Sequence, residues 1–204
     1  MSFRNLPNNM ADKGTLDLSS GKACDTPFPH FSSTSVLNNG LETRLYNWFQ
    51  STPEWNLVQT DFYEQHEFSL LHVNLPDDLE CLIKPQFLNS IENKFAETFK
   101  VWGFNLVDVV AHKLVNSQRI GVHNDYINGD ETHRLVLHIN PHWKDEHGGY
   151  LLLFNSSDSK DVSKVIRPIN NSAFGFEISP RSHHAVSKIH NFIRYTIIYT
   201  FKNI

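Results

Sequence analysis

From residue 104 onward the chain is a succession of short apolar, β-branched runs, and nothing else in it constrains the fold as strongly. The runs cover 106–115, 134–139, 150–154, 165–167, 173–178 and 194–201, with Gly, Pro, Asn, Asp and Ser in the gaps. Many short strands with few helical breaks predict antiparallel pairing, as in a sandwich or jelly roll. Upstream the period is helical. Leu41, Leu45, Trp48 and Phe49 recur on one face, and Pro53 ends that helix. Phe87, Leu88, Ile91, Phe95 and Phe99 mark a second amphipathic helix, with Gly103 as its expected stop. Their aromatic stripe reads as core packing, so both helices are expected to buttress an outer sheet face. The fold class is therefore mainly β with flanking helices.

Residues 1–25 are rich in Asn, Ser, Gly, Asp and Lys and read as a mobile tail, with ordered structure expected from Pro27-Phe28-Pro29-His30-Phe31. The stretch 55–84 holds short apolar runs, such as Phe68 to Leu71, but no interpretable motif. With 204 residues the chain suits one domain. A net charge of -4 without a Lys/Arg cluster gives no electrostatic support for nucleic acid as a partner. No apolar stretch approaches the roughly 20 residues that span a bilayer, so no membrane is expected as a partner either. Residues 1–22 lack the apolar core of a signal peptide, which makes a cytoplasmic location the expectation. Cys24 and Cys81 are too few and too far apart for a disulfide framework or a zinc site.

Histidine is abundant, at 12 residues, so spacing rather than number has to identify a metal site. The strongest spacing is His123-Asn124-Asp125. On a strand, residues i and i+2 point the same way, so one imidazole and one carboxylate can converge on one point. The other reading of this pair is a surface turn at Asp125-Tyr126. A third ligand has to come from a distant strand, and His183, His184 and His190 are the candidates. Two His and one carboxylate form the facial triad of non-haem Fe(II) oxygenases, which leaves three of six coordination positions open. Arg194 opens the last run, among apolar and β-forming residues, so it is expected to point inward and to need an anion. Its guanidinium matches a carboxylate in bidentate geometry, and Thr196 shares its face by the period of two. His184 precedes Arg194 by ten residues, a length that fits a strand, a turn and entry into the next antiparallel strand.

Residues 123–201 resemble the prolyl-4-hydroxylase-like branch of the 2-oxoglutarate/Fe(II) oxygenases. The resemblance is carried by His123-Asn124-Asp125, by Arg134-Leu135-Val136-Leu137-His138-Ile139-Asn140 with Trp143, and by Gly148-Gly149-Tyr150-Leu151. It continues through Ala173-Phe174-Gly175-Phe176, His184-Ala185-Val186 and Arg194-Tyr195-Thr196, in matching order over about 80 residues. Pro27 to Phe31 and the first helix also resemble that family's N-terminal region.

The resemblance implies a double-stranded β-helix in a single oxygenase domain over 26–204, with Fe(II) and the co-substrate 2-oxoglutarate, and ascorbate as a candidate reductant. It places iron on His123, Asp125 and His184, favouring His184 over His183 by the H-x-V pattern and the gap to Arg194. Arg194 would take the distal carboxylate of 2-oxoglutarate with Thr196 beside it. His138 would stand where some relatives place a Tyr reaching the same carboxylate; a packed strand histidine is the alternative. Many relatives carry a Tyr about nine residues before the first ligand, where this chain has Leu114 after Lys113. Asp125 fills the place where halogenases of the superfamily bind halide, which favours hydroxylation. Arg134 reads either as a contact for a substrate carboxylate or as an exposed strand-end residue. Trp143 and Lys144 to His147 read as a solvated loop, with a substrate-side lid as the alternative. The expected activity is hydroxylation of an amino acid, a peptide or a protein residue, proline among them. A tailoring oxygenase of small-molecule biosynthesis and a catalytically inactive jelly-roll binding module are the competing readings.

Overall fold

The computed structural model describes residues 15–204. In chain order the elements are β1 (Lys22–Cys24), β2 (His30–Thr34), α1 (Leu41–Ser51), β3 (Asn56–Gln59), β4 (Glu64–Ser69), α2 (Pro85–Phe99) and β5 (Phe104–Leu114). Then follow β6 (Ile120–His123), β7 (His133–His138), β8 (Leu151–Phe154), β9 (Val162–Ile166), β10 (Ser172–Glu177), β11 (His184–Val186) and β12 (Arg194–Asn203). They form two antiparallel sheets. The large one has eight strands in the order β1-β2-β10-β7-β12-β5-β4-β3, and the small one four, in the order β6-β11-β8-β9. This is the expected jelly roll with its helical buttress.

Alternation along the strands divides the large sheet into two faces. Tyr195, Ile197, Tyr199 and Phe201 of β12 join Leu135 and Leu137 of β7 and Val109 and Ala111 of β5 in the core shared with both helices. The intervening residues of the same strands face the space between the sheets, where Val136 and Ile198 pack with Leu151, Leu153, Phe174 and Phe176. β12 is buried from Arg194 through Phe201 because it is covered on both faces. That double burial explains why its sequence reads as a nearly continuous apolar run rather than an alternating one.

The helices end for local reasons. α1 stops at Thr52, extended at ψ 138° ahead of Pro53, and inserts Leu41, Leu45 and Phe49 into the core. α2 begins with Pro85 at its first turn and ends at Lys100, left-handed with φ 62°. The stop thus falls three residues before Gly103, the expected terminator.

Two expectations need revision. Of the proposed tail, residues 15–25 are ordered: Leu16 and Leu18 are buried in the helix-side core, and β1 pairs with β2 through Ala23 opposite Phe31. Residues 1–14 lie outside the described part. The segment 55–84 supplies β3 and β4, which extend the large sheet beyond β5. β3 is mostly exposed, so its sequence shows no apolar alternation. Among the described residues no helix is long and apolar enough to cross a membrane.

Candidate active site

His123 is the last residue of β6 and His184 the first of β11, and the two face each other across the small sheet. Asp125 lies two residues past His123, in a left-handed backbone conformation (φ 58°). Asn124 shapes this turn: its side-chain oxygen accepts from Tyr126 N–H (3.1 Å), and Ser182 Oγ donates to its carbonyl (2.8 Å). The turn at Asp125-Tyr126 therefore exists, but it aims the carboxylate inward, 12% exposed. One ligand atom from each of His123, Asp125 and His184 lies within 4.8 Å of the others, a separation one metal ion can bridge. His123 Nε2 is 3.3 Å from Asp125 Oδ1, and His184 Nε2 is 3.2 Å from Asp125 Oδ2.

The two rings are oriented from behind. His123 Nδ1 donates to Gly121 O (2.9 Å) and His184 Nδ1 to Ser182 O (2.8 Å). Because both partners are carbonyls, each ring donates its Nδ1–H to the backbone and turns Nε2 toward the carboxylate. Burial lowers the pKa of His184 below its ordinary value, although Asp125 works against that shift. Burial alone would raise the Asp125 carboxyl, but Arg134, His184 and His123 outweigh it and hold it well below the usual range. This donor set of two imidazoles and one carboxylate suits Fe(II). His183 is only half-buried and spends its carbonyl on Phe154 N–H (3.0 Å), while His190 is exposed beyond the end of β11.

A small cavity opens beside these ligands, lined by His112, His123, Arg134, His184, Arg194 and Thr196 among apolar walls that include Val136, Phe176 and Ile198. Arg194 is 4% exposed, its Nε lacks a hydrogen-bond partner, and burial alone lowers its pKa to about 10. It is still a cation at neutral pH. Thr196 Oγ1 and both ring nitrogens of His138 are likewise buried without partners, and Thr196 pairs with His138 across β12 and β7. A buried guanidinium and hydroxyl left unpaired in the wall of a cavity are costly unless a ligand satisfies them, and a carboxylate does so; His138 is not among the lining residues. Gly149 leaves room for this arrangement, since a Cβ there would come within 3.0 Å of Arg194 Cδ and 2.6 Å of Ile189 Cδ1.

His112 was not legible in the sequence. It lies on β5 opposite Thr196, and burial, then Arg134 and Arg194, push its pKa down to about 3, so it lines the cavity as a neutral ring. Leu114 itself packs with Val186 and Ile189, filling apolar space beside Arg194. Arg134 points inward, its Nη1 2.7 Å from Asp125 Oδ2 and its Nη2 paired with Glu131, which removes the exposed strand-end reading. The Trp143 to His147 segment is a surface loop tied down by the Asp145–Arg167 ion pair (2.8 Å), and none of it lines the cavity. Phe62, from the β3–β4 connection, sets its ring against His123 at 5.2 Å, and its carbonyl accepts from Gly121 N–H (2.8 Å).

The sequence profile of the 2OG-Fe(II) oxygenase superfamily matches residues 110–201, the stretch that contains every one of the proposed metal and carboxylate contacts. The mouse (Mus musculus) prolyl 3-hydroxylase OGFOD1 is 26% identical over 183 residues, covering 82% of this chain and 33% of its own length. The Xenopus laevis protein of the same name is 24% identical over 152 residues, covering 64% of this chain and 30% of its own. This chain thus spans about a third of the length of the curated relatives it matches. Among solved structures, a Pseudomonas putida prolyl-4-hydroxylase superposes with a TM-score of 0.67 at 13% identity, covering 86% of this chain and 92% of that one. A Trichoplax adhaerens prolyl hydroxylase in complex with a hypoxia inducible factor peptide gives 0.67 at 17%, covering 85% and 83%. Residues 110–201 are thus similar in sequence to the 2OG-Fe(II) oxygenase superfamily, and the chain shares the jelly-roll fold of the solved prolyl hydroxylases.

Proposed function

We propose that this chain is a 2-oxoglutarate- and Fe(II)-dependent dioxygenase that hydroxylates an amino-acid residue of a peptide or protein, with prolyl residues the first to test. The observation that carries the reading is one cavity lined both by His123 and His184, which converge with Asp125, and by the unpaired Arg194 and Thr196. The names of the OGFOD1 relatives supply the prolyl residue as the first candidate.

In this reading His123, Asp125 and His184 hold iron, and Arg194 takes the distal carboxylate of 2-oxoglutarate through a bidentate contact, with the Thr196 hydroxyl donating beside it. When bound, the metal and 2-oxoglutarate would supply the oxidising chemistry with dioxygen as oxidant: one atom of O2 would enter succinate as carbon dioxide leaves, and the other would enter a substrate C–H bond. The protein's own contribution is position and dryness. Gly121 O and Ser182 O keep the two ligand rings turned inward. Val136, Phe176 and Ile198 exclude water from the cavity, and His112, neutral down to about pH 3, brings no positive charge into it. The substrate would enter past Phe62, Tyr126 and Ile127, all exposed beside the ligands in sequence or in space.

The test is succinate release from 2-oxoglutarate by Fe(II)-loaded protein, with mass analysis of the added substrate. Prolyl peptides should stimulate succinate release and gain one oxygen atom. Stimulation by free amino acids or larger small molecules instead would move the reading to a tailoring oxygenase. No turnover, and no anaerobic visible band on adding Fe(II) and 2-oxoglutarate to folded protein, would leave only the binding module.

A further inference from the structure

Away from the metal ligands, a thiol, an amine and an imidazole meet where the outer strands of the two sheets come together. β1 is the terminal strand of the large sheet and β9 that of the small one. Cys24 ends β1, opposite His30 of β2, and Lys164 is the middle residue of β9. Lys164 Nζ donates to Cys24 Sγ at 3.2 Å and to His30 Nε2 at 3.0 Å. His30 is only 2% exposed, and its ring packs against Phe28 and Phe174. Its Nδ1 donates to Phe28 O (2.7 Å), which leaves Nε2 to accept from Lys164 and hold the amine against the sulfur. Cys24 itself is partly exposed, and a backbone hydrogen bond at Thr26, then Lys164, lower its pKa below the ordinary thiol value. Cys81 is the opposite case: it is buried in the helix-side core, and burial pushes its thiol up.

We propose that Cys24 and Lys164 are an oxidative cross-linking site, at which hydrogen peroxide joins Sγ to Nζ as a sulfenamide. The Cys24 thiolate attacks one peroxide oxygen. An S–O bond forms, the O–O bond breaks and hydroxide leaves, so sulfur is oxidised by two electrons and the peroxide is reduced by two. That hydroxide takes the extra proton of the Lys164 ammonium, giving water and a free amine. The amine then attacks the sulfenic sulfur: the S–N bond forms, the S–O bond breaks, and the departing hydroxide takes a proton from the nitrogen and leaves as a second water. Thiolate, ammonium and peroxide thus become one S–N bond and two waters, and a thiol reductant reverses the change. The nitrogen is already in contact with the sulfur, so this closure needs no movement of the backbone. The bond would span 140 residues of chain and tie the open edge of the large sheet to that of the small one.

The experiment treats the full chain, held free of iron by a chelator, with a small excess of hydrogen peroxide and reads intact mass, peptide map and melting temperature. The parent should lose two hydrogens and show the Cys24 and Lys164 peptides joined. It should also melt several degrees higher, because the closed loop restricts the unfolded chain. Dithiothreitol should restore both the mass and the melting temperature. Cys81→Ser should behave as the parent does. Lys164→Arg keeps a cation beside the thiol but offers no amine to condense. It should stop at the sulfenic acid, which a 1,3-diketone traps, and its melting temperature should not rise. Cys24→Ser should show neither product. If Cys24 in the parent instead goes on to sulfinic acid, or pairs in a disulfide between two copies, with no joined peptide, the proposal is overturned. A loss of two hydrogens that persists in Lys164→Arg would overturn it as well, by placing the nitrogen elsewhere. None of these readouts depends on turnover, so the result stands apart from the metal site.

Discussion

His123 and His184 are direct partners across β6 and β11, with ring centroids 4.2 Å apart. Two imidazoles this close, each with its proton committed to a backbone carbonyl, present two lone pairs to one point. Replacing either by Ala should abolish stoichiometric Fe(II) or Mn(II) binding, whereas His183→Ala, one residue away on the opposite face of the strand, should keep it. Equilibrium dialysis on the three variants checks this. Equal loss in all three would mean the convergence in the structure is not the binding site.

Arg194 is the charge expected to anchor the co-substrate. Removing a charged hydrogen-bonding group costs about 1.5–3 kcal/mol, so Arg194→Ala should weaken 2-oxoglutarate binding roughly 10- to 100-fold. Metal affinity measured without 2-oxoglutarate should stay near that of the parent, since Arg194 is not among the grouped ligands. The anaerobic visible band, titrated with 2-oxoglutarate, gives the comparison directly.

Gly149→Ala should damage both stability and co-substrate binding. The new methyl would meet Ile189 and Arg194, and the backbone there has φ 71°, which side chains with a Cβ rarely adopt. A melting temperature several degrees lower, together with weaker 2-oxoglutarate binding, is the expected outcome. Parent-like values would show that Ile189 and Arg194 yield easily.

Acid should unfold this protein earlier than its carboxylates alone would. His133 sits among the rings of Phe95, Phe99 and Phe104, and burial pushes its pKa down to about 4. An unfolded histidine titrates near 6.5, so below that pH the unfolded chain takes up a proton that the folded chain refuses. The sign is therefore destabilising as pH falls from about 6.5 toward 4, by up to about 2 kcal/mol per such residue at pH 5. Urea midpoints at pH 7.5 and 5 should differ accordingly, and His133→Leu should flatten the difference. An unchanged slope would place the buried charge elsewhere.

The sequence made legible those parts in which a single residue type at a fixed spacing meets a chemical need. His123 and Asp125 share a direction by the two-residue period, and Arg194 stands out as a cation in an apolar strand. All six runs named downstream of residue 104 became strands, whereas β6 and β11 carry no apolar run of their own and are marked in the sequence only by their ligand histidines. The inward turn of Arg134 was invisible for another reason. Whether a strand-end arginine turns out to solvent or inward depends on where Asp125 and Glu131 are brought by a turn whose shape is set by Ser182, more than 50 residues away. Likewise, His112 looks like any strand histidine until β12 is laid beside it. The order of residues 15–25 was hidden by their polar neighbours, since only Leu16 and Leu18 anchor them.

The isolation of Arg194 also bears on how the protein works in different media. The chain as a whole is acidic, at -4, so at long range it repels a dianion. The attraction sits inside, on one buried guanidinium where mobile ions do not reach. Added salt should therefore speed the arrival of 2-oxoglutarate by damping the outer repulsion, yet leave its departure almost untouched. Occupancy would rise rather than fall with ionic strength, the reverse of what a surface charge pair gives.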